Sequence, residues 1–218
     1  MDVEGRWSHP NTLKSEDEAR DYVARWSNPG AMERLERFAA LLLEENARQN
    51  LISRPSENAL WKRHFADSAQ LLRFVSRETQ PGRAGGVWLD LGTGAGFPGL
   101  VIAILEPDWP VALVESRARR IEFLEQCVRE LGLTRCHVLG QRLERAAPFK
   151  ACIISARAFA PLEKLLRLSS PFSTKVTRYL LPKGRSAAHE LDEQKPAIRK
   201  MFHVEHSLTD RDAGIIVR

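Results

Sequence analysis

The 218-residue chain predicts an α/β fold: a doubly wound, mostly parallel sheet, preceded by an amino-terminal helical extension and closed by a carboxyl-terminal antiparallel hairpin. Three observations carry this. From Val87 onward, short apolar runs alternate with amphipathic stretches at the spacing of strand and helix units. The first of those runs empties into a turn with glycines at alternate positions, Gly92, Gly94 and Gly96. Before Val87, apolar residues recur at the helical period instead.

The elements follow in order. Asn28 and Pro29 form a helix start signal, a cap followed by proline in the first turn, and Met32, Leu35, Phe38 and Leu42 continue at helical spacing. A second helical pattern runs through Leu60, Trp61, His64, Phe65, Ser68, Leu72 and Val75. Thr79 to Gly86, with Pro81, Gly82, Gly85 and Gly86, reads as a loop, so the expected division is an extension over 1–80 and a second unit over 86–218. Strands are expected at Val87–Leu91, Val111–Glu115, Cys136–Leu139, Ala151–Ser155 and Val176–Leu181, with helices starting near Pro98, Arg117, Pro161 and Ser186. Met201–His206 and Gly214–Val217 read as two further strands joined by the polar turn Thr209–Asp212.

Composition narrows the class. The longest apolar run, Leu100 to Leu105, is far short of the roughly 20 residues a membrane helix needs. The amino terminus carries Asp2 and Glu4 where a secretory signal carries base, so a cytoplasmic location is expected. Cys127, Cys136 and Cys152 have no C-x-x-C spacing and read as small apolar residues, not as a disulfide framework or a zinc site. Charge is uneven: the net +5 falls wholly after Gly85, and Arg117 to Arg185 holds 15 basic against 5 acidic side chains. Such a concentration suits a polyanion, because neutralising phosphates releases counterions.

The glycine turn is the most informative motif. In Val87-Trp88-Leu89-Asp90-Leu91-Gly92-Thr93-Gly94-Ala95-Gly96-Phe97-Pro98-Gly99 an apolar strand enters a turn whose bare backbone admits a ligand at the strand's carboxyl end. The pattern is G-x-G-x-G; a dinucleotide fingerprint would need glycine at position 97, which is Phe97, and no P-loop lysine follows. Glu115, at the end of the second strand, is placed to accept from both hydroxyls of a ribose. Asp90 beside the turn can hold loop amides or an ammonium group, and it would repel a pyrophosphate. An amino acid joined to a nucleoside fits this set, which points to S-adenosyl-L-methionine, with Asp90, Gly92, Thr93, Gly94 and Glu115 at its site.

Several stretches resemble the bacterial 16S ribosomal RNA guanine-N7 methyltransferases, the RsmG or GidB family. They are Asn50-Leu51-Ile52-Ser53, Arg63-His64-Phe65-Ala66-Asp67-Ser68, Asp90 to Gly99, Val114-Glu115-Ser116, Arg119-Arg120, Phe123-Leu124, Arg142-Leu143-Glu144, Ile154 to Ala160 and Lys183-Gly184. They occur in family order and cover about Asn46 to Arg185. The resemblance implies a Rossmann-like class I methyltransferase that uses S-adenosyl-L-methionine, releases S-adenosyl-L-homocysteine, and acts on 16S ribosomal RNA or the small subunit. It also implies that Gly92 and Phe97 line the cofactor site, that Leu143 and Glu144 sit by the adenine, and that Arg157 reaches the cofactor or the target pocket. Where the family has Arg directly after an Ile-Ser pair, Ala156 here stands between Ser155 and Arg157.

The side-chain chemistry agrees with that target. The loop after the fourth predicted strand, Ser155-Ala156-Arg157-Ala158-Phe159-Ala160, lacks the Asn- or Asp-Pro-Pro-aromatic pattern common in exocyclic-amine methylation. Cys152, within an apolar strand, is a poor candidate nucleophile for pyrimidine methylation. Guanine N7 carries a lone pair and no proton, so its methylation needs alignment and a suitable field but no general base. Arg157 is the candidate catalytic residue. Phe159 can stack on a flipped base, and Arg119, Arg120, Lys183 and Arg185 are candidates for the RNA backbone.

His64, Asp67 and Ser68 share one helix face, where they can orient His64 or flank the target pocket; no third ligand suggests a metal there. His203 and His206 read as strand residues without chemistry. The alternatives are a cofactor-sensing nucleic-acid-binding protein without turnover, or a methyltransferase for another RNA or a protein. A monomer without membrane attachment is expected.

Overall fold

The structure is a computed structural model that describes residues 12–75 and 86–218. The predicted loop from Thr79 lies outside the described residues except for Gly86. The helical segment contains α1 (Glu16–Ala24), α2 (Ala31–Gln49) and the short α3 (Arg54–Glu57). The helical path then changes pitch twice: it is π-helical over Trp61–Ala66, α-helical in α4 (Asp67–Ala69) and 3₁₀ over Gln70–Phe74. Ser15 caps α1 by accepting from the Glu18 amide, and three acidic residues occupy the first turn, where the helix dipole favours them.

The start of α2 corrects the sequence reading. Gly30, in the left-handed conformation, is its N-cap and makes no side-chain cap. Asn28 instead sends its Nδ2 to the Leu105 carbonyl at 2.8 Å, tying the α2 entry to a residue 77 positions away in sequence. Its own carbonyl accepts from the Ala31 amide.

The sheet has seven strands in the order β3-β2-β1-β4-β5-β7-β6. These are β1 (Val87–Leu91), β2 (Val111–Glu115), β3 (Cys136–Gly140), β4 (Ala151–Ala156), β5 (Arg178–Gly184), β6 (His203–His206) and β7 (Gly214–Val217). β1 to β5 are parallel, and β7 runs antiparallel to both β5 and β6. Between the strands lie α5 (Gly99–Leu105), α6 (Ala118–Glu130), α7 (Leu162–Ser169), α8 (Ala187–Asp192) and α9 (Pro196–Arg199). The predicted starts of α5, α6, α7 and α8 fall on their N-caps Pro98, Arg117, Pro161 and Ser186. β5 begins two residues later than the apolar pattern suggests: Val176 is 89% exposed, and the chain is anchored by Thr177, whose hydroxyl donates to the Ala151 carbonyl.

Side chains alternate across the sheet as strand geometry requires. Trp88, Leu113, Ile153 and Leu180 pack on the face covered by α2, α5, α6 and the pitch-changing helix, sharing one core with Leu35, Phe38, Phe65 and Leu71. Leu89, Val114, Ile154 and Leu181 face the other way, onto Leu162, Leu165 and Leu191 of α7 and α8. The amino-terminal helices therefore share a continuous apolar layer with the sheet. Among the described residues no helix is long and apolar enough to cross a membrane.

Two polar groups sit in that first layer. Asp90 of β1 and Ser155 of β4 are register partners, both fully buried. Ser155 Oγ donates to Asp90 Oδ1 at 2.7 Å and accepts from Trp88 Nε1 at 2.8 Å. Ser155→Ala would leave a buried acceptor and a buried donor without their partner, so urea unfolding is expected to show a loss of about 1–3 kcal/mol.

Candidate active site at the carboxyl ends of β1 and β4

The strand order reverses between β1 and β4, and a doubly wound sheet binds ligands at that switch. The turn leaving β1 is held by backbone: Thr93 N–H donates to the Val114 carbonyl, and the Thr93 carbonyl accepts from Gly96 and Phe97. Gly92 (φ +64°) and Gly94 (φ +60°) lie in the left-handed region. A Cβ on Gly92 would stand 2.6 Å from Phe159 Cδ2, and one on Gly94 would stand 3.3 Å from Arg120 Nη1. Bare backbone thus lets an aromatic ring and a guanidinium close on the turn from two sides.

Asp90 is 0% exposed, and its oxygens are engaged by protein: Oδ2 accepts from the Gly99 amide at 3.0 Å and Oδ1 from Ser155. It holds a loop amide, as one of its two expected roles required, but it presents no surface to a ligand ammonium. Burial pushes its carboxyl above the ordinary range, against hydrogen bonds from Ser155 and Gly99 that pull it down. Glu115 is differently disposed. Its Oε1 accepts from the Ser116 and Arg117 amides at 2.6 and 2.9 Å, while Oε2 lies 3.8 Å from Arg120 Nη1. One oxygen anchors the turn after β2, and the other stays beside the glycine turn.

Other expected site residues divide. The Phe97 side chain is core: its ring lies 5.4 Å from Phe38 and 5.9 Å from Phe65, and the residue is buried. Leu143 is buried at the start of a 3₁₀ turn after β3, and Glu144 is exposed beside it. Arg119 is exposed, as is Arg185, which pairs with Asp212 at 3.2 Å. Arg120 leans over the glycine turn. Lys183, expected at RNA, is 7% exposed in its side chain, bonded to the Ala160 carbonyl and paired with Glu190, both at 2.8 Å. Burial drew that cation into a structural ion pair that holds the loop after β4.

That loop carries Arg157 and Phe159 around Ala158, whose φ of +53° is left-handed without being glycine. Phe159 lies on Gly92, and Arg157 turns to the helical segment. Its Nη1 donates to the Arg63 carbonyl at 3.1 Å and lies 3.4 Å from Asp67 Oδ2, while Nη2 lies 3.0 Å from His64 Nδ1. Its Cζ stands 5.0 Å over the Phe97 ring, on which His64 also stacks at 4.7 Å. Sequence reasoning placed His64, Asp67 and Ser68 on one face. The partner that gives His64 and Asp67 a purpose lies 90 or more residues away, where no local pattern could show it. Ser68 instead donates to the His64 carbonyl at 2.6 Å.

Alongside Arg157 and Phe159, beyond β4, a cleft of about 1130 Å³ opens between the helical segment and the β6–β7 connection. Its wall includes Arg63, His64, Phe159 and Thr209. The cleft is roomy enough for a nucleotide, and neither the glycine turn nor Glu115 is part of its lining.

Burial, with Arg157 and Arg63 nearby, holds His64 down to about 3 from its ordinary 6.5. Between those values the unfolded chain binds a proton that the native protein refuses, so stability falls as pH drops from 6.5 toward 3. The expected slope from this group is up to about 1.4 kcal/mol per pH unit. Urea unfolding across a pH series checks it: His64→Asn should lose one proton's worth of slope.

Comparison with known proteins agrees with this architecture. The GidB family model, described as rRNA small subunit methyltransferase G, matches residues 31–212. Proteins named ribosomal RNA small subunit methyltransferase G from Erythrobacter litoralis and Sphingopyxis alaskensis are 54% and 49% identical, each over 94% of this chain and over 96% and 86% of their own. Among solved structures, the fibrillarin/Nop5p complex aligns with a TM-score of 0.54 at 16% identity, over 72% of this chain and 80% of that one. MtNAS in complex with MTA and tNA aligns at 0.53 with 13% identity, over 93% and 74%. Both structural likenesses bear on the fold alone. With the switch-point turn, the acid of β2 and the cleft beside β4 in place, the chain belongs to the GidB family of rRNA small subunit methyltransferases G, enzymes that draw their methyl group from S-adenosyl-L-methionine.

Proposed function

We propose that this enzyme methylates N7 of a guanine in 16S rRNA of the small subunit. One observation carries the choice of atom: the basic groups closest to Arg157 are already committed. Asp67 Oδ1 accepts from Thr209 Oγ1 at 2.8 Å and Gln70 Nε2 at 2.9 Å, and Oδ2 faces Arg157. His64 Nδ1 faces the same guanidinium. Asp90 is enclosed, and burial pushes the Cys152 thiol up. An amine or hydroxyl acceptor would need a base to take its proton, whereas N7 attacks with a lone pair and releases none.

The residues fit the cofactor. Gly92 and Gly94 put no Cβ between the turn and the Phe159 and Arg120 side chains, so a cofactor that displaces those side chains reaches bare backbone, and Glu115 Oε2 is the oxygen left to accept from a ribose hydroxyl. Leu143 and Glu144 border the adenine end. The cofactor supplies a methyl carbon made electrophilic by its sulfonium. The chain's share is alignment. Phe159, touching the turn on one side and the cleft on the other, stacks the target base. Arg157 cannot fork across O6 and N7, because that would occupy the attacking lone pair; it holds O6 or a neighbouring phosphate. Arg119, Arg120 and Arg185 meet the RNA backbone.

Labelled methyl transfer to small subunits and to 16S rRNA from a strain lacking the enzyme, followed by nucleoside analysis, tests this. Label is expected in 7-methylguanosine. In Gly92→Asp the new side chain meets Phe159 at a left-handed position, and transfer should fall at least about 100-fold. Label in any other nucleoside would overturn N7 as the acceptor.

A further inference from the structure

The π-helical turn Trp61–Ala66 meets the loop after β4 through its backbone as well as its side chains. In an α-helix the Arg63 carbonyl would be taken by the Asp67 amide. Here the Asp67 N–H goes to the His64 carbonyl, and the Arg63 carbonyl accepts from Arg157 at 3.1 Å. The same turn brings His64 Nδ1 to 3.0 Å from Nη2 and Asp67 Oδ2 to 3.4 Å from Nη1. Guanidinium has no acceptor, so Nδ1 must accept, and His64 is the neutral tautomer protonated on Nε2. The low proton affinity that burial imposes on His64 agrees.

The socket is itself braced. Asp67 Oδ1 is held by Gln70 and by Thr209 of the β6–β7 connection, and Gln70 Oε1 accepts from the Leu208 amide at 2.8 Å. Phe97 closes one face of the guanidinium at 5.0 Å. Of the five N–H donors of Arg157, three meet the socket, leaving two for a ligand.

We propose that His64 and Asp67 are positioning residues that act through Arg157, fixing its guanidinium before RNA binds so that its two remaining donors meet the target nucleotide. An unrestrained arginine would lose its rotamer freedom at the moment of binding; the socket removes that loss beforehand. The proposal rests on the reading that Arg157 acts at the acceptor.

A double-mutant cycle in the full chain tests it, reading kcat, KM for RNA and Kd for cofactor. Arg157→Gln should lower kcat. His64→Leu removes the acceptor and should lower kcat about tenfold or more with cofactor Kd unchanged. His64→Asn, whose Oδ1 falls near the place of Nδ1, should restore most of it. Added to Arg157→Gln, His64→Leu should cost nothing further. Multiplying losses in the double variant, or no rescue by asparagine, would overturn the positioning role. If His64→Leu loses cofactor affinity, Asp67→Asn, which keeps an oxygen for Thr209 and removes the charge, takes its place in the cycle.

Nitrogen NMR of the arginine side chains separates this proposal from the reading beneath it. Restricted rotation should split the Arg157 Nη signals in the wild type and in His64→Asn, and His64→Leu should merge them. Unsplit signals in the wild type would overturn the socket. Split signals together with full activity of Arg157→Gln would leave the socket standing and overturn the acceptor role of Arg157.

Discussion

A carboxylate with no exposed surface sets the terms for the rest of the molecule. Asp90 must have its lone pairs satisfied by protein, and the donors that do so come from the amino end of α5 and from β4. Gly99 supplies its amide at a position where any Cβ would meet Asp90 and Leu113. Ser155 supplies its hydroxyl and takes the indole N–H of Trp88 in turn. A single buried group thereby ties the strand before the glycine turn, the helix after it and the neighbouring strand into one rigid corner. A ligand-binding turn needs such backing, because its own glycines contribute no side-chain packing.

From that corner the site extends in two directions. Toward β2, the turn faces Glu115 and Arg120, and the acid divides its oxygens between its own loop and Arg120. Toward β4, Phe159 rests on Gly92 and Arg157 passes to the helical segment. Three stretches far apart in sequence then meet at Asp67: the loop after β4 through Arg157, the connection before β7 through Thr209, and the pitch-changing helix through Gln70. The amino-terminal helices cover one sheet face and also furnish a wall of the cleft beside Phe159.

Some features were written locally and some were not. Strand alternation, the glycine turn and the helix starts at Pro98, Arg117, Pro161 and Ser186 depend on neighbours within a few residues, and they stand where the pattern put them. Asn28 misled because its amide had a distant competitor, the open carbonyl of Leu105. Val176 misled because β-propensity describes a strand's interior and not where pairing begins; Thr177 makes that anchor. Lys183 shows that a count of positive charges cannot tell a free cation from one paired with an acid, here Glu190. The His64 face reads from the sequence as one that can orient His64 or flank a pocket, and the guanidinium it holds comes from the loop after β4, beyond any local pattern.

The order of residues along the chain established the α/β class, the place of the glycine turn, the acid that ends β2 and the family. Each rests on short-range periodicity or on a contiguous motif, and each survives without knowledge of what lies across the sheet. What each side chain is free to do came from folding. Burial took Asp90 and the Phe97 ring out of reach of a ligand, Glu190 took up the Lys183 ammonium, and the Arg63 carbonyl accepts from Arg157. A side chain's chemistry is set by the groups it can reach and by how much water remains around it, and both are properties of the packed chain.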